Sequence, residues 1–154
     1  MSKLQLDTNG APNEITMTRV LRAPRRLVVK AMTTPELIKR WLGGDRATVI
    51  SVEVDLRVGG SYRYVLRNRN GTEFAFGGVY LELGEERMVQ TEKFDAYPSE
   101  ARVTTTFVER DAKTTLRVVS AFESQAVRDA VLASGMAEGA GEAYEKLDAL
   151  VANL

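Results

Sequence analysis

The sequence predicts an α+β fold: an antiparallel sheet read from the middle of the chain, two short helices ahead of its main run and a long helix after it. Three observations carry this. Between residues 47 and 122 apolar side chains recur at every second position, the period of a half-buried strand. The turns within that span are short, Asn70-Gly71 giving the strongest hairpin signal, so successive strands pair as antiparallel neighbours. On either side, at residues 24–42 and from Ser124 onward, the period becomes 3.6, as amphipathic helices require.

Residues 1–13, with Asn9-Gly10 and Pro12, have no apolar period and are expected to form a flexible lead-in to a single domain over 14–154. In 15–21, Ile15, Met17, Arg19 and Leu21 alternate with Thr16, Thr18 and Val20, a strand. Pro24 opens a first short helix carrying Leu27, Val28, Ala31 and Met32. Thr34-Pro35-Glu36 opens a second, with a hydroxyl N-cap, proline at the first helical position and an acid facing the dipole. Leu37, Ile38, Trp41 and Leu42 form its apolar face, and Gly43-Gly44 ends it.

In the next strand Ile50, Val52, Val54 and Leu56 share one face, with Ser51, Glu53 and Asp55 on the other, before the Val58-Gly59-Gly60 turn. Tyr62, Tyr64 and Leu66 follow, then the hairpin. In the return strand, 72–83, the apolar phase slips from Phe74 and Phe76 to Val79, Leu81 and Leu83, which predicts a β-bulge at Gly77-Gly78. In 87–94, Met88, Gln90, Glu92 and Phe94 oppose Val89, Thr91 and Lys93. Residues 95–99, with Pro98, read as a loop. Val103, Thr105 and Phe107, a turn at 110–113, and Leu116, Val118, Ser120 and Phe122 complete a meander of six strands, seven with the first. The last helix carries Val127, Val131, Met136, Ala140, Tyr144, Leu147 and Val151, with Glu138, Glu142, Glu145, Lys146 and Asp148 off the stripe. Tyr144, Leu147 and Val151 are expected to face the sheet, and a break is expected near Ser134-Gly135 because glycine disfavours a helix interior.

Composition narrows the chemistry. The 154 residues hold no Cys and no His, which removes Ser-His-Asp and Cys-His nucleophiles, imidazole- or thiolate-built zinc sites, His-ligated haem and thiol redox chemistry. No catalytic residue, metal or cofactor is assigned. The 21 basic residues balance 21 acidic ones, so nothing draws the chain toward nucleic acid. No apolar run is long enough to insert into a membrane, and the first residues lack a signal-peptide pattern; cytoplasmic residence is the default expectation.

The order of elements and a set of short motifs resemble a known superfamily. The motifs are Ala23-Pro24-Arg25, 28–31, Thr34-Pro35-Glu36-Leu37 with Arg40-Trp41, 55–60, Gly71-Thr72-Glu73, Gly78-Val79-Tyr80, 86–89 and, in the last helix, Gly135-Met136, Gly139 and 147–150. They resemble the SRPBCC (START-like) superfamily, and within it the bacterial relatives of the C-terminal domain of the activator of the heat-shock ATPase. The resemblance implies a helix-grip fold, a curved seven-stranded sheet wrapped around the C-terminal helix, often with a cavity between them. It says less about function, since the superfamily hosts lipid carriers, receptors, cyclases and chaperone cofactors. Such proteins often carry a large aromatic where Ala140 or Gly141 stands here.

Several residues could carry function. Glu53 and Asp55 sit two apart on a strand, at carboxylate-pair spacing; the competing reading is a solvated face paired with Arg63 or Arg67, with Asp55 bonding the backbone of the glycine turn. The Arg63, Arg67, Arg69 series reads as an anion site or as that same exterior face. Gly135, Gly139 and Gly141 lack the strand and Lys-Ser/Thr of a phosphate cradle. Arg102 and Arg117 fall on the exterior face or on the interior one. Gln90 and Glu92 either point inward with Met88 and Phe94, where a buried acid must pair, shift upward or orient a ligand, or point to water while Val89 and Thr91 turn in. The candidate cavity wall is Trp41, Tyr62, Tyr64, Phe76, Met88, Gln90, Glu92, Phe107, Met136, Ala140 and Tyr144, which serves a solid core as well. The cavity mouth is expected near the second short helix and residues 95–99.

Two functions follow. The first is a binding protein for a hydrophobic or amphipathic small molecule, without covalent chemistry. The second is a protein-interaction module that touches an ATPase chaperone in a stress response, as the resemblance implies. A cyclase- or hydrolase-like enzyme is a weaker third reading. A monomer or a homodimer suits either of the first two.

Overall fold

The computed structural model describes residues 3–96 and 99–154. The eight strands are β1 (Gln5–Asp7), β2 (Glu14–Leu21), β3 (Ala47–Val54), β4 (Ser61–Asn68), β5 (Glu73–Leu83), β6 (Arg87–Phe94), β7 (Ala101–Arg110) and β8 (Lys113–Ala121). The four helices are α1 (Arg25–Thr33), α2 (Pro35–Ile38), α3 (Gln125–Ala133) and α4 (Met136–Ala152). All strands form one antiparallel sheet in the order β1-β2-β8-β7-β6-β5-β4-β3. From β3 to β8 each strand pairs with its sequence neighbour, and only β2 crosses to join β8.

The sheet has eight strands where seven were expected. Residues 5–7, inside the expected lead-in, pair with 16–18 as a short edge strand. Three residues without an apolar alternation give too weak a pattern to be read as a strand.

Two strands depart from their expected faces. In β3 the register shifts between Val49 and Ser51, so Ala47, Val49, Val52 and Val54 face the core while Ile50 and Leu56 are 38% and 51% exposed. In β5 the bulge is not at Gly77-Gly78, where pairing with β4 runs unbroken. The register with β6 shifts instead between Tyr80 and Glu82. Phe74, Phe76, Gly78 and Tyr80 therefore keep one phase, and Val79 and Leu81, expected inside, are each 37% exposed on the opposite side. The two glycines answer to close approach: a Cβ on Gly77 would stand 2.2 Å from the Tyr62 carbonyl oxygen, and one on Gly78 2.0 Å from that of Thr91.

The exterior charges pair as surface ions: Arg63 with Asp95, Arg67 with Glu73, and Asp55 with Arg57 rather than with the turn backbone. Glu53, Arg102 and Arg117 are exposed. α2 is shorter than expected, and the chain runs on through turns to residue 46. Thr34 makes no side-chain cap bond, while the neighbouring Thr33 hydroxyl bonds the Val29 carbonyl at 2.7 Å.

The break expected near Ser134-Gly135 is present. Gly135 adopts φ +85° between α3 and α4, a conformation that suits glycine. α3 buries none of its residues, whereas α4 buries Ala143, Leu147, Asp148, Leu150 and Val151. Asp148, expected off the apolar stripe, is 4% exposed and lies beside Arg19, 5% exposed. Its Oδ2 accepts from the guanidinium groups of Arg19 at 3.5 Å and Arg22 at 3.0 Å, and its Oδ1 from the Arg22 backbone N–H at 2.9 Å.

The core is divided. One cluster joins α1 and the second half of α4 to the inner faces of β2, β7 and β8, around Ile15, Phe107, Leu116 and Leu147. The other joins Ile38 to Tyr62, Tyr64, Leu66 and Tyr80 on β4 and β5. β6 runs along the seam.

Candidate functional site

The inner face of β6 resolves the open reading of Gln90 and Glu92: both point inward. Pairing of Tyr80 with Gln90 and of Gln90 with Val103 aligns Gln90 with buried inner-face residues. Glu92 pairs with Ala101. On its other side the register, fixed by Gly77 with Lys93 and Tyr80 with Gln90, sets Gly78 opposite it, and Gly78 in turn pairs with Tyr62. Across the sheet the row therefore reads Tyr62, Gly78, Glu92, Ala101, so that the carboxylate stands between two positions with almost no side chain.

Tyr62 within the row and Tyr64, Tyr80 and Tyr144 around it make a tyrosine-rich setting. Tyr62 reaches over Gly78, its hydroxyl donating to the Thr91 carbonyl at 2.6 Å, with the Gln90 side chain beside the same hydroxyl. The Thr91 hydroxyl takes the Val79 N–H at 2.9 Å, which keeps β5 tied to β6 where the ladder opens. The hydroxyls of Tyr64 and Tyr80 interact with each other. The rings form a continuous set: Tyr62–Tyr64 at 5.1 Å, Tyr62–Tyr80 at 5.3 Å, Tyr64–Phe76 at 5.3 Å and Phe76–Phe94 at 4.7 Å between centroids. From the helix side, Tyr144 stacks on Trp41 at 6.0 Å.

Electrostatics follow from burial. Removal from water pushes the Glu92 carboxyl up to about 7, since a charge without a compensating partner is disfavoured there. Burial, and then the charge of Glu92, raises the phenols of Tyr62 and Tyr144 above their ordinary value. Burial first, then the neighbouring phenols, does the same for Tyr64. All four tyrosines are neutral donors and acceptors at any physiological pH.

The eleven candidate residues fall into three groups. Trp41, Met88 and Phe107 are built into the larger buried cluster. Trp41 lies in the turns after α2, not at an open mouth, and its indole N–H donates to the Ala31 carbonyl at 3.0 Å. Tyr62 and Tyr64 belong to the second cluster. Phe76, Gln90, Glu92, Met136, Ala140 and Tyr144 are only partly buried although they belong to the inner face of the sheet or to α4. Beside Gly139 and Gly141 an added Cβ would meet nothing within 4 Å. The first half of α4 thus leaves room where its second half packs tightly. Positions 97 and 98 of the expected mouth lie outside the described residues. Sequence reasoning missed Tyr80 and Gly78, although the run Phe74, Phe76, Gly78, Tyr80 keeps one phase.

Among the described residues no cluster of acids can hold a metal ion, and no helix is long and apolar enough to cross a membrane. The family described as activator of Hsp90 ATPase homolog 1-like protein matches residues 22–152. A crystal structure of a protein from Rhodobacter sphaeroides is 26% identical, with a TM-score of 0.91 over 99% of each chain. One from Chromobacterium violaceum is 30% identical, with a TM-score of 0.76 over 93% of this chain and 99% of that one. An AHSA1-like protein from Aeromonas hydrophila, 18% identical, shares the fold with a TM-score of 0.67 over 88% of this chain and 93% of that one. No curated protein matches the sequence.

Proposed function

This chain belongs to the activator of Hsp90 ATPase homolog 1-like family, and we propose that it is a binding protein that holds a small apolar or amphipathic molecule between α4 and the inner face of β4–β7. The observation that carries this reading is the row Tyr62, Gly78, Glu92, Ala101. A protein that needed only a stable core would fill that row with apolar side chains, because even a partly buried acid without a partner costs stability. A few oriented polar groups in an aromatic wall are what a small-molecule site uses to fix its ligand. Mass spectrometry of the natively purified protein is expected to reveal a co-purified small molecule. Trp41 emission is expected to change, through its stack on Tyr144, when stoichiometric fatty alcohol is added. A clean apo mass together with constant emission would refute the reading.

The second reading is contact with an ATPase chaperone, after the family's description. Its support is on the other side of the sheet. Tyr80 exchanges backbone bonds with Gly59 and Gly60, which sets Leu56 and Val58 next to the segment carrying Val79 and Leu81, four exposed apolar residues. Capture of a purified chaperone by the wild type and not by Val58→Asp with Leu81→Asp would favour it.

A further inference from the structure

The chemistry of the interior goes further than its apolarity, on the premise that the interior is a binding site. Tyr62 has committed its hydroxyl proton to the Thr91 carbonyl. What faces the space is a carboxylate and the π-faces of several rings. Among the described residues Glu92 makes no hydrogen bond or ion pair, and its raised proton affinity has burial as its sole cause.

Among the described residues no cation offsets it. Arg19 is the basic residue whose side chain is buried on the inner face, and Asp148 holds it. It pairs with Leu116, which pairs with Phe107. Phe107 is six residues along β7 from the partner of Glu92, ~20 Å at a strand's rise per residue. Lys93 and Arg102 are exposed on the opposite face. Among the described residues the titratable groups that face Glu92 are Tyr62 and Tyr64 from β4 and Tyr144 from α4, all neutral.

We propose that the site selects an organic cation, an amine or quaternary ammonium head on a short apolar body, with the positive charge set against Glu92 and the tyrosine rings. Aromatic faces attract a desolvated cation through their quadrupole. A carboxylate head would meet a like charge; an alcohol head would gain neither the charge attraction nor the contact of a cation with the ring faces.

The test is calorimetric titration of the full chain with decyltrimethylammonium, decanol and decanoate, each below its micelle concentration. At pH 8 the cation should bind at least about tenfold tighter than decanol, and decanoate weaker than decanol. Glu92→Gln should bring the three within about threefold of one another. Between pH 8 and pH 6 the wild-type affinity for the cation should fall about tenfold, since Glu92 takes up a proton and the competent fraction shrinks. The quaternary head does not titrate, so that dependence belongs to the protein. Urea unfolding of Glu92→Gln checks that the variant is folded. Equal binding of all three heads by the wild type, or a cation preference kept by Glu92→Gln, overturns this inference alone. Failure of all three to bind overturns the binding reading beneath it as well.

Discussion

Glu92→Gln has a consequence for stability that needs no ligand. The carboxyl titrates near 7 in the folded chain against an ordinary 4.5. A raised carboxyl means that the folded state holds a proton the unfolded state has already released, so stability falls as pH rises between these two values and then levels off. Each pH unit of that interval is worth about 1.4 kcal/mol, so the ionised Glu92 costs the fold about 3 kcal/mol above pH 8. Glutamine keeps the shape and cannot ionise. Urea unfolding of both proteins at pH 5, 6, 7 and 8 isolates the residue, because every other titrating group cancels in the difference. The variant's advantage should grow by about 2.5 kcal/mol across the series, which at a slope near 2 kcal/mol per molar urea is about 1.2 M in midpoint. A difference that stays constant with pH would mean that the carboxylate is solvated, and the account of the interior would fail.

Other substitutions test other parts of the fold. Leu147→Ala, at a side chain 0% exposed, should cost ~2–5 kcal/mol in denaturant unfolding; a loss under ~1 kcal/mol would mean that α4 is not a core element. Asp148→Ala should cost about 3–5 kcal/mol by leaving Arg19 buried without its partner, and Arg19→Met with Asp148→Leu should recover most of that loss. Gly78→Ala should cost at least ~1–3 kcal/mol because its Cβ meets Thr91 backbone. Gly139→Ala, with open space around it, should instead leave the stability unchanged or raise it by up to ~1 kcal/mol. Equal losses at the two glycines would refute the packing described around α4.

Legibility followed the strength of the local signal. The hairpin at Asn70-Gly71 and the break at Gly135 could be read because glycine there meets a positive φ and no neighbouring residue competes. The faces of β3 and β5 could not. In Val79-Tyr80-Leu81 and Val49-Ile50 apolar residues follow one another, and a period of two says nothing about which of them is inside when a bulge shifts the count. Glu92 had equal claims on both faces, as Met88 and Phe94 argued one way and Val89 and Thr91 the other; the pairing of its strand with Tyr80 and Val103 decided it. The placing of Glu92 between two residues with almost no side chain is a property of register. Gly78 and Ala101 are 23 residues apart, and nothing local shows that both flank residue 92.

The strand order also dictates how the chain must assemble. Every junction from β3 to β8 is a hairpin, closed over a few residues, whereas the β2–β8 ladder joins Ile15 to Ser120 and Leu21 to Thr114. That closure spans most of the chain and carries the largest entropic cost of any pairing here. The hairpins can form on their own timescale, and the ladder that completes the sheet must wait for them. Truncations confined to β2, such as Ile15→Val, should therefore speed unfolding and leave the folding rate nearly unchanged, while truncations at the β4–β5 hairpin slow folding. Rates with the opposite partition would place the long closure first. A meander that seals last at a single seam keeps its inner face open to solutes until that seam is made.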